Sequence, residues 1–282
     1  MNIVTIMNYA TASKLDSIGV QNGVNMCKIW IYLVKRSNPD ANILILEGDN
    51  NSKEISEFAS NYDNIKFSKL EGNVLKRSET KGRPHVAQEL FFKMWLNEDV
   101  KKLEKRFFVE ADAFIIKPLD DWWDIIDEKP FMVVDEVYYG ESIPTFNSGV
   151  YSYSGNDFIT YDKLIKQYEK DGAILCQAGE QGLLNAYLRS INYDYGHDNV
   201  DHRYNYPLMN LKLKSVNDDA IEICTGNRNK TEFEGWMKDV CAWDYKGDIS
   251  ILHGVGYKPW NVKESLVLWN YCLDKIKEIE NV

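Results

Sequence analysis

In RFFVEADAFIIKPLDDWW, residues Arg106 to Trp123, the apolar run Phe107-Phe108-Val109 stops at Glu110-Ala111-Asp112, and a second run, Ala113 to Ile116, follows at once. Short runs rich in Phe, Val and Ile read as buried strands. Strand residues alternate sides, so the spacing predicts that Glu110 and Asp112 project together from a strand end, with small Ala111 between them. Two carboxylates converging there make a hard-oxygen site for Mn²⁺ or Mg²⁺, which could in turn grip a diphosphate. The competing reading is a solvated acidic turn between two strands.

Working outward, a helix is predicted just upstream over Val86 to Leu103, with Leu90, Met94 and Trp95 on its apolar side. Before it lies a basic loop, Gly72 to Pro84, carrying Lys76, Arg77, Lys81 and Arg83. It reads equally as a cover for an anionic ligand or as plain surface. Towards the N-terminus, strands Asn2 to Met7, Ala41 to Glu47 and Asn64 to Leu70 alternate with helices Val20 to Lys35 and Asn51 to Tyr62. This βαβαβ order predicts an α/β fold with a mostly parallel central sheet flanked by helices. Ligands of such sheets sit beyond the carboxyl ends of the strands, where Met7-Asn8-Tyr9 and Glu110-Ala111-Asp112 both fall. Downstream, a strand is expected over Pro130 to Asp135, helices over Asn156 to Lys170 and Glu180 to Ser190, and loop with short strands over Asn210 to Gly247.

At 282 residues, a single large domain is expected, in two parts (1–112 and 113–262) followed by a C-terminal helix (263–282). A net charge of −10 argues against a nucleic-acid or anionic-membrane partner, while a metal ion and a few basic groups would still accommodate a nucleotide. The five cysteines are odd in number and lack Cys-x-x-Cys spacing, as expected of reduced thiols and a cytoplasmic location. No apolar run approaches the ~20 residues of a membrane span, and MNIVTIMNYA reads as a first strand rather than a leader. Asn-, Lys- and Ile-rich usage points to an AT-rich genome, whether bacterial, protist or that of a large DNA virus, the last placing the protein in a host cytoplasm. A dehydrogenase is disfavoured because no Gly-x-Gly-x-x-Gly follows the first strand.

Four motifs occur in order: Glu110-Ala111-Asp112, Phe146-Asn147-Ser148-Gly149-Val150, Gly179-Glu180-Gln181-Gly182-Leu183-Leu184-Asn185, and His253-Gly254-Val255-Gly256-Tyr257-Lys258-Pro259-Trp260. Together they resemble the glycogenin-like, family 8 type of retaining glycosyltransferases, which have a GT-A fold. The resemblance runs from the first strand to about Trp260, and it implies that 1–112 is the nucleotide-binding half and 113–262 the sugar and acceptor half. It implies transfer of a hexose or pentose from a UDP-sugar to a glycan or protein acceptor. It further implies a metal held by Glu110, Asp112 and His253, with Mn²⁺ favoured by the imidazole. Glu110 stands where the family usually has Asp, so its longer arm could instead reach the metal through water or contact the ribose.

By the same resemblance Met7, Asn8 and Tyr9 would hold the uracil, and Lys93 would point at the donor. Gly256 and Lys258 would receive the diphosphate, although one residue separates them here where the family pattern has two. Asn147 would lie near the sugar. Glu180 and Gln181 would orient hydroxyls or stabilise charge at the anomeric carbon, and Asp135 is a further candidate for hydroxyl recognition. Each position also has a structural reading, such as a turn for Asn147 to Gly149 and a helix first turn for Glu180. Two rival functions fit the same residues. One is self-glycosylation on tyrosine, prompted by 17 tyrosines and the Tyr193-Asp194-Tyr195 turn. The other is a non-catalytic nucleotide-sugar-binding protein with a decayed metal site. The sequence is compatible with a homodimer.

Overall fold

A computed structural model describes residues 1–7, 17–48, 53–72, 88–136, 145–155, 157–171, 180–194, 200–208, 211–216, 221–225, 248–254, 259–261 and 266–281. The first part of the chain gives β1 (Asn2–Met7), α1 (Ser17–Ser37), β2 (Asn42–Glu47), α2 (Lys53–Ala59) and β3 (Ile65–Lys69). Next come α3 (Gln88–Met94), α4 (Glu98–Lys101), β4 (Lys105–Val109), β5 (Ala113–Ile115), α5 (Asp120–Asp124), β6 (Phe131–Glu136) and β7 (Thr145–Ser154). The remainder supplies α6 (Tyr161–Asp171), α7 (Glu180–Ser190), β8 (Tyr206–Pro207), β9 (Leu211–Val216), β10 (Ile221–Thr225), β11 (Ile251–His253) and α8 (Leu266–Glu280).

The main sheet has six strands in the order β3-β2-β1-β4-β7-β6. The pairs β1–β2, β1–β4 and β2–β3 are parallel, whereas β7 lies antiparallel to both β4 and β6. Every strand but β7 therefore runs the same way, as the alternating pattern predicts. Both faces are covered, which explains the near-continuous apolar runs of β1, β2 and β4. Ile3, Ile43, Ile45, Phe107, Val109, Val150 and Met132 face one core, packed with α1, α2, α5 and α8. Val4, Leu44, Leu46, Phe108, Tyr151 and Val133 face the other, packed with α3, α6 and α7. Val24, Cys27, Ile31 and Val34 form a buried stripe on α1, and Leu268, Cys272 and Ile276 form one on α8, both at helical spacing.

Three local expectations need correction. The helix predicted over Val86 to Leu103 is broken after Met94, within its described residues, because Asn97 caps a second helix. Asn97 Oδ1 accepts from Asp99 N at 3.0 Å and Val100 N at 3.1 Å, and Glu98 and Asp99 suit that helix's first turn. The helix predicted from Asn156 starts at Tyr161. Thr160 Oγ1 accepts from Lys163 N (3.3 Å), and the Tyr153 hydroxyl holds the preceding turn by bonding Ile159 N and O. The third concerns the acidic pair. Glu110 and Asp112 lie past the end of β4, in a turn closed by Ala113 N donating to Glu110 O at 2.9 Å. They converge because the chain turns there, not because of strand alternation.

Of the region predicted as loop and short strands, β9 and β10 pair antiparallel, and residues 210, 217–220 and 226–247 lie outside the described residues. The sheet joins the two predicted halves, since β7 pairs with β4 across position 112. Among the described residues no helix is long and apolar enough to cross a membrane.

Candidate active site

The Glu110–Ala113 turn leaves the main sheet at the carboxyl end of β4 and leads into a second, three-stranded sheet, β5-β11-β8. There β11 runs antiparallel to β5 with His253 opposite Ala113, and Gly254 N donates to Asp112 O at 2.9 Å. Register thus sets a histidine 143 residues away from Glu110 beside the acidic turn. His253 Nε2 lies 3.3 Å from Glu110 Oε2 and 3.6 Å from Asp112 Oδ1. One ligand atom from each of the three residues lies within 4.8 Å of the others. His253 is buried, while both carboxylates are partly buried.

Burial alone would lower the imidazole pKa of His253. Hydrogen bonds to Asp112 and Glu110, with their charges, outweigh it and push the value up to about 10. A proton on Nε2 therefore balances the two carboxylates when no other cation is present. The opposite ring nitrogen, Nδ1, lies 2.7 Å from Asn205 Oδ1.

Gly149 makes room for this cluster. It sits in β7, where its carbonyl accepts from Glu110 N at 2.8 Å. A Cβ there would fall 2.3 Å from His253 Cε1 and 2.7 Å from Glu110 Oε2. The Asn147-Ser148-Gly149 motif thus supplies space beside the metal-ligand candidates. Asn147, partly buried, turns its Oδ1 onto Gly149 N at 2.9 Å.

Ser148 links this strand to α7. Its hydroxyl donates to Glu180 Oε2 at 2.9 Å, and its backbone N donates to Gln181 Oε1 at 3.3 Å. One turn further along α7, Asn185 satisfies both Phe146 N and Phe146 O, at 3.1 and 3.0 Å. Glu180 is 3 % exposed, and its Oε1 is buried without a hydrogen-bond partner among the described residues. Desolvation lifts its pKa from 4.5 to about 8, with the charge of Glu110 adding to the rise and the Ser148 hydrogen bond opposing it. Near neutral pH it is a carboxylic acid, able to donate as well as accept.

Among the other predicted residues, Met7 is buried at the end of β1. Lys93 is half-buried on the last turn of α3 and has no ion pair among the described residues. Asp135 lies in β6 opposite Phe146, its side chain outside the described residues. Asn8, Tyr9, Gly179, Gly256 and Lys258 lie outside the described residues, as does the loop from 73 to 84. Tyr193, part of the turn that prompted a self-glycosylation reading, has its hydroxyl committed. It donates to Phe131 O at 2.7 Å and accepts from Phe131 N at 3.2 Å. Ser148 and Gly149 lie in a motif the sequence singles out, but their contacts with Glu180 and with the acidic cluster were not read from it, and Asn205 was not identified. A contact spanning 48 residues, as between Asn205 and His253, leaves no spacing signal.

Among solved structures, the chain is similar to the glycosyltransferase GlyE of Streptococcus pneumoniae TIGR4, with a TM-score of 0.65 and 17% identity over 99% of this chain. It spans 62% of the length of that structure. It is similar as well to an active-site mutant of LgtC (TM-score 0.63, 15% identity, 100% of this chain and 95% of that one). A third match is the apo form of mouse xyloside xylosyltransferase 1 (TM-score 0.55, 11% identity, 92% and 99%). No protein-family profile and no curated protein matches the chain. The fold is thus the α/β fold of GT-A glycosyltransferases, with a mostly parallel central sheet flanked by helices.

Proposed function

We propose that the chain is a metal-dependent, retaining glycosyltransferase that moves a hexose or pentose from a UDP-sugar to a glycan or protein acceptor. The observation that carries this reading is the convergence of Glu110, Asp112 and His253 at the carboxyl end of β4, on a fold shared with glycosyltransferases. The residues fit a divalent ion. Two carboxylates and an imidazole suit Mn²⁺ or Mg²⁺, and Gly149 leaves a cradle that a Cβ would fill. When bound, the ion supplies Lewis-acid neutralisation of the departing diphosphate.

Met7, Asn8 and Tyr9 then hold the base, Gly256 and Lys258 the diphosphate, and Lys93 faces the donor from α3. Asn147, Gln181 and Asp135 contact the sugar. The raised pKa of Glu180 favours a neutral carboxyl that hydrogen-bonds a sugar hydroxyl over one that balances positive charge at the anomeric carbon. In the transfer, the bond from the anomeric carbon to phosphate oxygen breaks and UDP leaves with the electron pair. The acceptor oxygen bonds to the same face, and its proton passes to a leaving phosphate oxygen. No placed general base is needed.

Release of UDP from a panel of UDP-sugars, with Mn²⁺ and with chelator, tests the reading. One donor should turn over with Mn²⁺, lose turnover in chelator, and give a product whose NMR shows the anomeric configuration of the donor. Inversion would exclude the retaining mechanism, and failure to bind UDP under either condition would exclude the nucleotide-sugar reading.

A further inference from the structure

We infer that Asn205 is a positioning residue of the metal centre, holding the Nδ1–H of His253 so that Nε2 faces Glu110 and Asp112. This rests on the metal-site reading proposed above. In a neutral imidazole one ring nitrogen donates and the other accepts, and the partner of the first decides the direction of the second. Asn205 Oδ1, at 2.7 Å from Nδ1, is an acceptor and selects the ring form with its proton on Nδ1. With Nδ1–H held there, a metal ion that replaces the Nε2 proton would meet the Nε2 lone pair on the side of the two carboxylates, 3.3 and 3.6 Å away.

Asn205 is itself fixed. It follows a 3-10 turn, His202–Tyr204, capped by the Asp201 side chain accepting from Arg203 N at 2.9 Å. Asn205 N closes that turn on His202 O at 3.1 Å. The Tyr204 ring packs 5.0 Å from Trp122 in the core, and Ser250 N donates to Arg203 O at 2.8 Å. The next residues form β8, paired in parallel with β11, Tyr206 opposite Leu252. Asn205 and His253 are thus held by neighbouring strands of one small sheet, the arrangement in which an outer partner orients a metal-binding imidazole.

The test is Mn²⁺ titration of the metal-free chain, read by the electron paramagnetic resonance signal of free Mn²⁺. Wild type, Asn205→Ala, Asn205→Asp, His253→Ala and the Asn205→Ala/His253→Ala double variant are compared. Asn205→Ala is expected to weaken binding about 10–100-fold. Asn205→Asp keeps an acceptor oxygen and should stay near wild type. In the His253→Ala background, Asn205→Ala should cost nothing further, because its effect passes through the ring. Unchanged Mn²⁺ affinity in Asn205→Ala, or its full penalty persisting without His253, overturns the inference. If His253→Ala weakens binding and Asn205→Ala does not, this inference alone fails. If wild type and His253→Ala titrate alike, the metal-site reading fails and takes this inference with it.

Discussion

Replacing Gly149 with alanine is expected to abolish Mn²⁺ binding and metal-dependent UDP release together, leaving the chain folded. The added Cβ would stand 2.3 Å from His253 Cε1, 2.7 Å from Glu110 Oε2 and 2.8 Å from His253 Nε2. Contacts this short cannot persist, so something must move. The strand is poorly placed to yield, because β7 is paired on both sides, to β4 and to β6. The side chains are left to give way, and they are two of the three candidate ligands. Overpacking of this kind costs about 1–3 kcal/mol of stability, a loss that most folded domains survive. Its effect on the metal should exceed the roughly 10–100-fold loss typical of removing an outer-shell partner, since two ligands are displaced at once. Thermal unfolding paired with Mn²⁺ titration checks this. A Gly149→Ala protein that binds Mn²⁺ as wild type does would contradict the arrangement described here.

Glu180→Gln is expected to flatten the pH dependence of stability in the metal-free protein. Glu180 titrates near 4.5 when unfolded and near 8 when folded, so the folded state holds its proton more tightly. Folding is then favoured at low pH, and stability falls as pH rises from 4.5 through about 8. The full shift corresponds to a loss on the order of 5 kcal/mol. Ser148 donates to this carboxyl, and Glu110 and Tyr151 lie in its field. The raised pKa of His253 acts in the same direction over a higher window, from 6.5 to about 10. Comparing wild type with Glu180→Gln separates the two. In chelator, the wild-type melting temperature should drop between pH 4.5 and 8, and the variant's should drop much less. Parallel curves would show that Glu180 is not held neutral by burial.

Much of the fold was legible because both faces of the main sheet are covered. Continuous apolar runs at β1, β2 and β4 signalled buried strands, and the alternating helices signalled their parallel sense. The bounds of α7 were readable because Glu180 opens a strongly periodic stretch. Single polar residues that overrule a hydrophobic pattern were harder to see. Asn97 ends one helix and caps the next inside what reads as one apolar face, and Thr160 delays the start of α6. Within the site, the acidic pair was readable from its abrupt placement between apolar runs, but its convergence comes from a turn that alternation does not encode. His253 could be reached only through a resemblance of motifs, because its approach depends on the β5–β11 register. Asn205 had no local signature, and the motif holding Gly149 did not disclose which side chains that glycine makes room for. One is a contact between distant segments, and the other is the absence of a side chain where two others meet.

The most direct measurement is anomalous diffraction at a wavelength sensitive to manganese, from crystals grown with Mn²⁺ and UDP. A single strong peak ligated by Glu110, Asp112 and His253, with the UDP phosphates against it, is the predicted result. UDP bound with no peak at those three residues, or a peak held by other side chains, would contradict a metal centre built on the turn after β4.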